Sequence, residues 1–165
     1  MKAVTLYQPW ASLVALRFKK YETRSWCTPY RGKIAIHAAI KKFDINELDR
    51  ETVYKMREVL FPEHSIYDDF SLRCHMELPH GAVVATADLV ACWHIESAKT
   101  ATDDLIFTDE NSGERKLIIR NGFKEIHFGD FRPGRYAWEL ANVKMLEKPI
   151  TAKGLQRIWN WNEEV

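Results

Sequence analysis

The sequence predicts an α+β fold: short strands forming a small curved sheet or barrel, flanked by one short early helix and one longer helix. Three observations predict it. Runs that alternate with period two, or that are continuously small and apolar, recur from the first residues to about position 145. Apolar residues at helical spacing stand out at two places, near 10–14 and 44–60. Proline- and glycine-containing turns separate the runs at short intervals. With 165 residues, 46% of them hydrophobic, the chain is expected to form one domain with a sizeable core.

Taken in order, residues 3–7 read as a strand, and Gln8-Pro9-Trp10 opens a helix in which proline's missing N–H costs nothing. Trp10, Leu13 and Val14 give that helix a buried side. Residues 20–26 alternate as a second strand. Pro29 and Gly32 bracket a turn into a strand at 33–39, with Ile34, Ile36 and Ala38 on one face and Lys33, Ala35 and His37 on the other. Asp44, with Glu47 three residues on, resembles a capping box and starts a helix over 44–60, whose apolar stripe is Ile45, Leu48, Met56, Val59 and Leu60; Pro62 stops it. Residues 62–80 read as an exposed, partly acidic excursion. Residues 82–93 are small and apolar, as in a strand buried on both faces, with Asp88 interrupting it. Residues 105–108 and 115–119 pair as a hairpin around Asn111-Ser112-Gly113, and Arg132-Pro133-Gly134 makes a further turn. A strand at 136–145 sets Tyr136, Trp138 and Leu140 against Ala137, Glu139 and Ala141. Residues 155–161 form a helical turn or are irregular.

Composition narrows the function. No run of about 18 apolar residues exists, so no transmembrane helix is expected, and the N-terminus lacks a secretory pattern. Cys27, Cys74 and Cys92 are odd in number and widely separated, which argues against a disulfide framework and for a reducing cytoplasm. Cys74-His75 and Cys92-x-His94 supply ligand types without paired spacing, so neither a metal nor another cofactor is expected. The net charge of +1 conceals an asymmetry: residues 1–42 hold nine Lys or Arg against Glu22 alone, whereas residues 43–110 are acidic. Such a basic quarter is either a polyanion site or a solvated face balanced by acids elsewhere in the fold.

The densest constellation is Lys19, Lys20, Glu22, Arg24 and Trp26. On a strand, Lys20, Glu22, Arg24 and Trp26 share one face, and Tyr21, Thr23 and Ser25 the other. Cations for phosphate, an indole for stacking and a carboxylate for a base edge suit a nucleotide; the same residues also make an ordinary ion-pair ladder on a surface strand. Tyr30 and Arg31 bring another aromatic and cation to the same rim, or simply form a turn. His37 faces a cleft or is a satisfied core histidine. Trp10 reads first as core and second as a cleft wall.

The stretches Gln8-Pro9-Trp10-Ala11-Ser12-Leu13, Lys19-x-x-Glu22-x-Arg24-Ser25-Trp26 and Tyr30-Arg31-Gly32-x-Ile34-x-Ile36-His37-Ala38 resemble the ASCH family. Its signature is Gly-x-Lys-x-x-Glu-x-Arg; here Arg17 replaces the glycine, and Lys19, Glu22 and Arg24 stand in place. Gly81 to Val84 with Asp88 to Val90, Gly129-Asp130-Phe131, Gly134 to Trp138, and Lys153-Gly154 followed by Trp159 continue the resemblance, while Gln156 and Arg157 depart from it. It implies a single PUA-like β-barrel domain over 1–165, with variable insertions near 43–80 and 97–125. It also implies a cleft for RNA, single-stranded nucleic acid or a modified nucleobase, lined by Trp10, Lys19, Lys20, Arg24, Trp26, Tyr30, Arg31 and Lys153. Some members are described as ribonucleases and others as acylcytidine amidohydrolases, so Lys19, Glu22 and His37 are candidate catalytic groups of a metal-independent hydrolase. Glu22 stands where the amidohydrolase form carries a threonine, and strand alternation turns Thr23 to the opposite face. A protein-interaction adaptor using exposed aromatics and the acidic 62–80 segment is a third reading.

Overall fold

The computed structural model describes residues 1–65, 67–98, 104–120 and 122–162. Its elements, in chain order, are β1 (Lys2–Leu6), α1 (Trp10–Ala15), β2 (Tyr21–Arg24), β3 (Gly32–Ala38), α2 (Arg50–Leu60), α3 (Phe70–Glu77), β4 (Ala82–Ser97), β5 (Leu105–Asp109), β6 (Arg115–Ile118), β7 (Tyr136–Thr151) and β8 (Ile158–Asn160). Strands hydrogen-bond in the order β2-β7-β4-β3-β1-β8, and β5 pairs with both β4 and β6. This sheet-rich α+β arrangement, with few helices, is of the PUA-like barrel type that the sequence predicts. The chain divides into two compact units. One comprises Met1–Lys19, Lys33–Ala87 and Asn142–Val165; the other comprises Lys20–Gly32 and Asp88–Ala141.

In the first unit β1 runs parallel to β3, with Thr5 opposite His37, and antiparallel to β8, with Ala3 opposite Trp159. Every residue from Ile34 to Ala38 is buried, so both faces of β3 are covered; a strand flanked in parallel register is commonly covered on both sides. Ala3, Ala35, Val83, Trp159 and Trp161 form one core cluster. β8 replaces the helical or irregular segment expected at 155–161, because three residues are too few for a pattern to declare a strand.

The helices of this unit correct the sequence reading. Asp44 accepts from Asn46 N at 3.0 Å but caps only a 3₁₀ turn, Ile45–Glu47, after which Leu48 is extended. The α-helix starts six residues late, after Asp49, whose carboxylate accepts from both Thr52 N and Thr52 Oγ1 at 2.8 Å. Asp44 also accepts from Asn46 Nδ2 at 3.0 Å, so each carboxylate takes two bonds, and the shorter pair at Asp49 makes the stronger start. Residues 62–80 are not simply an excursion: Asp69 accepts from Leu72 N at 3.0 Å and starts α3, which buries Phe70 and Cys74 one turn apart.

In the second unit β2 pairs antiparallel with β7, Tyr21 opposite Glu139 and Glu22 opposite Trp138. β5 and β6 form the expected hairpin, with Asp109 Oδ1 accepting from Asn111 N (2.8 Å) and Ser112 N (3.0 Å). Phe107 lies in the core of this unit, edge-on to Tyr21 at 5.3 Å and stacked with Phe131 at 6.2 Å, with Trp93, Ile95, Leu105 and Ala137 around it.

Candidate nucleic-acid interface

In the first unit, α1 ends in a Schellman turn: Arg17 N donates to Val14 O and Phe18 N to Leu13 O, both at 2.9 Å. That turn requires a left-handed residue, and Arg17 occupies it at φ 66°. A glycine would adopt such a φ without penalty because it has no Cβ. Lys19 N then donates to Leu13 O at 3.1 Å, and the Lys19 side chain is buried, 1% exposed.

His37 is equally buried. Its Nε2 is 3.0 Å from Ala152 O, and since a carbonyl accepts, Nε2 carries the proton. Nδ1 has no hydrogen-bond partner among the described residues. Burial lowers the pKa of this histidine against the opposing bond to Ala152, which keeps it neutral. Gly154 lies so close to the ring that a Cβ there would meet His37 Nδ1 at 2.5 Å and Thr5 Oγ1 at 2.9 Å. Trp159 donates from Nε1 to Thr5 Oγ1 at 3.1 Å and meets His37 edge-on at 5.6 Å. Lys153 is exposed, and Trp10 is half-buried, edge-on to Phe43 at 4.8 Å.

The second unit gathers the other signature residues. Glu22 and Arg24, alternate residues of β2, point the same way, and Arg24 Nε lies 3.0 Å from Glu22 Oε1. The guanidinium sits 5.8 Å from the Trp138 ring centroid. Trp26 meets Trp138 edge-on at 4.7 Å, and its carbonyl accepts from Trp138 Nε1 at 3.3 Å. Glu22, Arg24 and Trp26 therefore converge around a buried indole. Arg31 donates from Nη1 to Thr28 O (2.8 Å) and Tyr30 O (2.9 Å), which folds the segment between β2 and β3 around its guanidinium.

Lys20 departs from the expected face. β2 begins at Tyr21, and the Lys20 ammonium pairs with Glu139 at 2.8 Å, on the side of the ribbon that Tyr21 occupies. Glu139 also accepts from Lys116 Nζ (2.8 Å) and Trp93 Nε1 (2.7 Å). Burial opposes its charge, yet bonds from Lys116, Lys20 and Trp93 hold its carboxyl below the usual range. The bond to Glu139 raises the Lys20 pKa. Lys116 Nζ stands 4.0 Å from the Trp93 ring centroid, a cation–π contact. At the start of β2, Glu125 Oε2 accepts from Lys20 N (2.8 Å) and Tyr21 N (3.0 Å). Sequence reasoning missed Glu139, Lys116, Trp93 and Glu125. The signal for Glu139 was a lone acid on the small-residue side of an alternating strand; the others acquire their roles through pairing between distant segments.

Among the described residues no three His, Cys, Asp or Glu side chains gather to hold a metal ion, and no helix is long and apolar enough to cross a membrane. What the arrangement offers in the second unit is charge and rings: Arg24 pairs with Glu22 beside Trp26, and Lys20 and Lys116 pair with Glu139.

The strand order defines a sheet-rich protein with few helices, as expected of the PUA-like class. The ASCH domain model matches residues 4–150. The chain belongs to the ASCH domain family, a PUA-like family associated with RNA binding. It is 29% identical over 122 residues to activating signal cointegrator 1 of Homo sapiens, covering 72% of this chain and 18% of that protein. To activating signal cointegrator 1 of Mus musculus it is 30% identical over 93 residues, covering 54% and 14%. The matched stretch thus spans less than a fifth of either relative's length.

Proposed function

We propose that this chain binds RNA or another single-stranded nucleic acid, or a modified nucleobase, through Glu22 and Arg24 of the signature and their neighbours Lys20, Trp26, Tyr30 and Arg31. The supporting observation is the Glu22–Arg24–Trp138–Trp26 group. A carboxylate and an indole hold the guanidinium in place, and its side chain remains about a quarter exposed, at 24%. A cation set in advance on a ring loses little freedom when it meets a phosphate. On the Tyr21 side of the ribbon the half-exposed ammonium of Lys20 adds a second cation, steadied by Glu139, and beside Arg24 Trp26 adds a ring for a base. Family membership supports the same reading.

Fluorescence anisotropy of labelled single-stranded oligoribonucleotides across a salt series tests it. Affinity is expected to fall linearly in log–log form with salt. Arg24→Ala and Lys20→Ala should each reduce that slope by about one. Trp26→Ala should cost about 1–3 kcal/mol of binding while leaving the slope unchanged. Binding insensitive to salt, or none to any RNA or DNA strand, overturns the reading.

A further inference from the structure

The segment between β2 and β3 brings together two thiols that lie 65 positions apart in sequence. Cys27 Sγ is 3.2 Å from Cys92 Sγ, and both cysteines are unbridged. Cys27 is half-buried, whereas Cys92 on β4 is buried, 2% exposed. The third cysteine, Cys74 in α3, is fully buried. Two thiols in contact, one reachable from solvent and one behind it, form an attacked sulfur and a resolving sulfur. A disulfide needs the sulfurs about 1 Å closer, given a bond of about 2.0 Å.

We propose that Cys27 and Cys92 form an oxidative modification site, in which a hydroperoxide oxidises Cys27 and Cys92 closes a reversible disulfide. In the first step the Cys27 sulfur, having lost its proton, attacks a peroxide oxygen. The O–O bond breaks, Cys27 becomes a sulfenic acid, and the departing alkoxide or hydroxide leaves protonated. In the second step the Cys92 sulfur attacks the Cys27 sulfur. The S–S bond forms, the S–O bond breaks, and the hydroxyl group leaves with the Cys92 proton as water. Two thiols and one hydroperoxide thus give a disulfide, water and an alcohol or a second water.

The surroundings suit this order. Burial pushes the Cys92 thiol up to about 12, so Cys92 does not meet the oxidant as a thiolate. The Thr28 backbone N–H and the Arg31 guanidinium lean the other way and help Cys92 release its proton at the moment of attack. The bond ties the segment carrying Trp26, Tyr30 and Arg31 to β4. The modification stands apart from the nucleic-acid reading and is tested without any oligonucleotide.

The full chain is treated with hydrogen peroxide, alkylated under denaturing conditions, digested and read by mass spectrometry. The expected product is an intramolecular Cys27–Cys92 peptide pair lacking two hydrogens, restored to two thiols by dithiothreitol, with Cys74 alkylated throughout. In Cys92→Ser, the Cys27 sulfenic acid should persist long enough to be trapped by dimedone. Cys27 oxidised to sulfinic acid while Cys92 remains fully alkylatable overturns the proposal in the unmodified chain, whatever the variant does. So does a disulfide-linked dimer in place of the internal bond.

Discussion

In the unit built on β1, β3 and β8, two polar side chains of the candidate site are sealed away. His37 and Lys19 are each 1% exposed, and the Gly154 backbone presses against the imidazole. In the unit built on β2, β5 and β6, cations stay at least partly in water and are steadied from beneath by carboxylates and rings, as Lys20 and Lys116 are by Glu139 and Trp93. Sealing a polar group makes it sensitive to any change of volume or protonation around it. Steadying a cation at the surface leaves its charge usable by an anionic partner. One region holds its polar groups to tight tolerance and the other keeps its cations in reach of water, although the signature motif contributes residues to both.

The largest change to this contrast comes from the aromatic core of the second unit. Phe107→Ala removes a ring with no exposure and should cost about 3–5 kcal/mol in urea denaturation. Hydrogen exchange should accelerate first in β2, β5 and β6; acceleration led by β1 and β8 would break the comparison. Gly154→Ala probes the sealed unit, where the added methyl collides with His37 and Thr5, and should cost about 1–3 kcal/mol by the same measurement. Arg17→Gly should move the other way, since it removes a left-handed arginine without touching the Schellman bonds; a gain of about 1–2 kcal/mol is expected.

The smallest effect concerns pH, and it separates the units by window. The folded pKa of His37 is lowered, so the unfolded chain binds more protons as acid is added. The stability His37 supports is therefore complete above its ordinary value of about 6.5 and is lost as pH falls through the lowered folded value. Glu139 is also lowered, but from the carboxylate range, so its share is complete above about 4.3 and is lost only in stronger acid. Denaturation midpoints between pH 7.5 and 5.5 should fall in the parent chain, and His37→Gln should flatten that fall. Glu139→Gln should leave this upper window unchanged.

Much of the fold was legible because its signals are local. Alternation located β1, β3 and β7, and Asn111-Ser112-Gly113 located the β5–β6 hairpin. The start of α2 was misread because Asp44 and Asp49 both carry capping chemistry; each carboxylate bonds one residue twice, and only the shorter distances at Asp49 separate them. The eight residues of α3 are too short for periodicity to stand out from an acidic background. At the site, the shared face of Glu22 and Arg24 follows from period two, but the destination of Lys20 does not. A strand beginning one residue later, and an acid on β7, decided it. The conformation of Arg17 was visible in sequence only as a missing family glycine.

Glu125 carries a practical consequence for anyone building chimaeras. Its carboxylate holds the first two amides of the signature ribbon, yet it belongs to a stretch that looks like a dispensable insertion. Splicing that stretch in from a cousin of different length would unmoor the ribbon without altering any residue of the motif. A graft meant to swap a decorative loop would thus loosen the start of β2 instead.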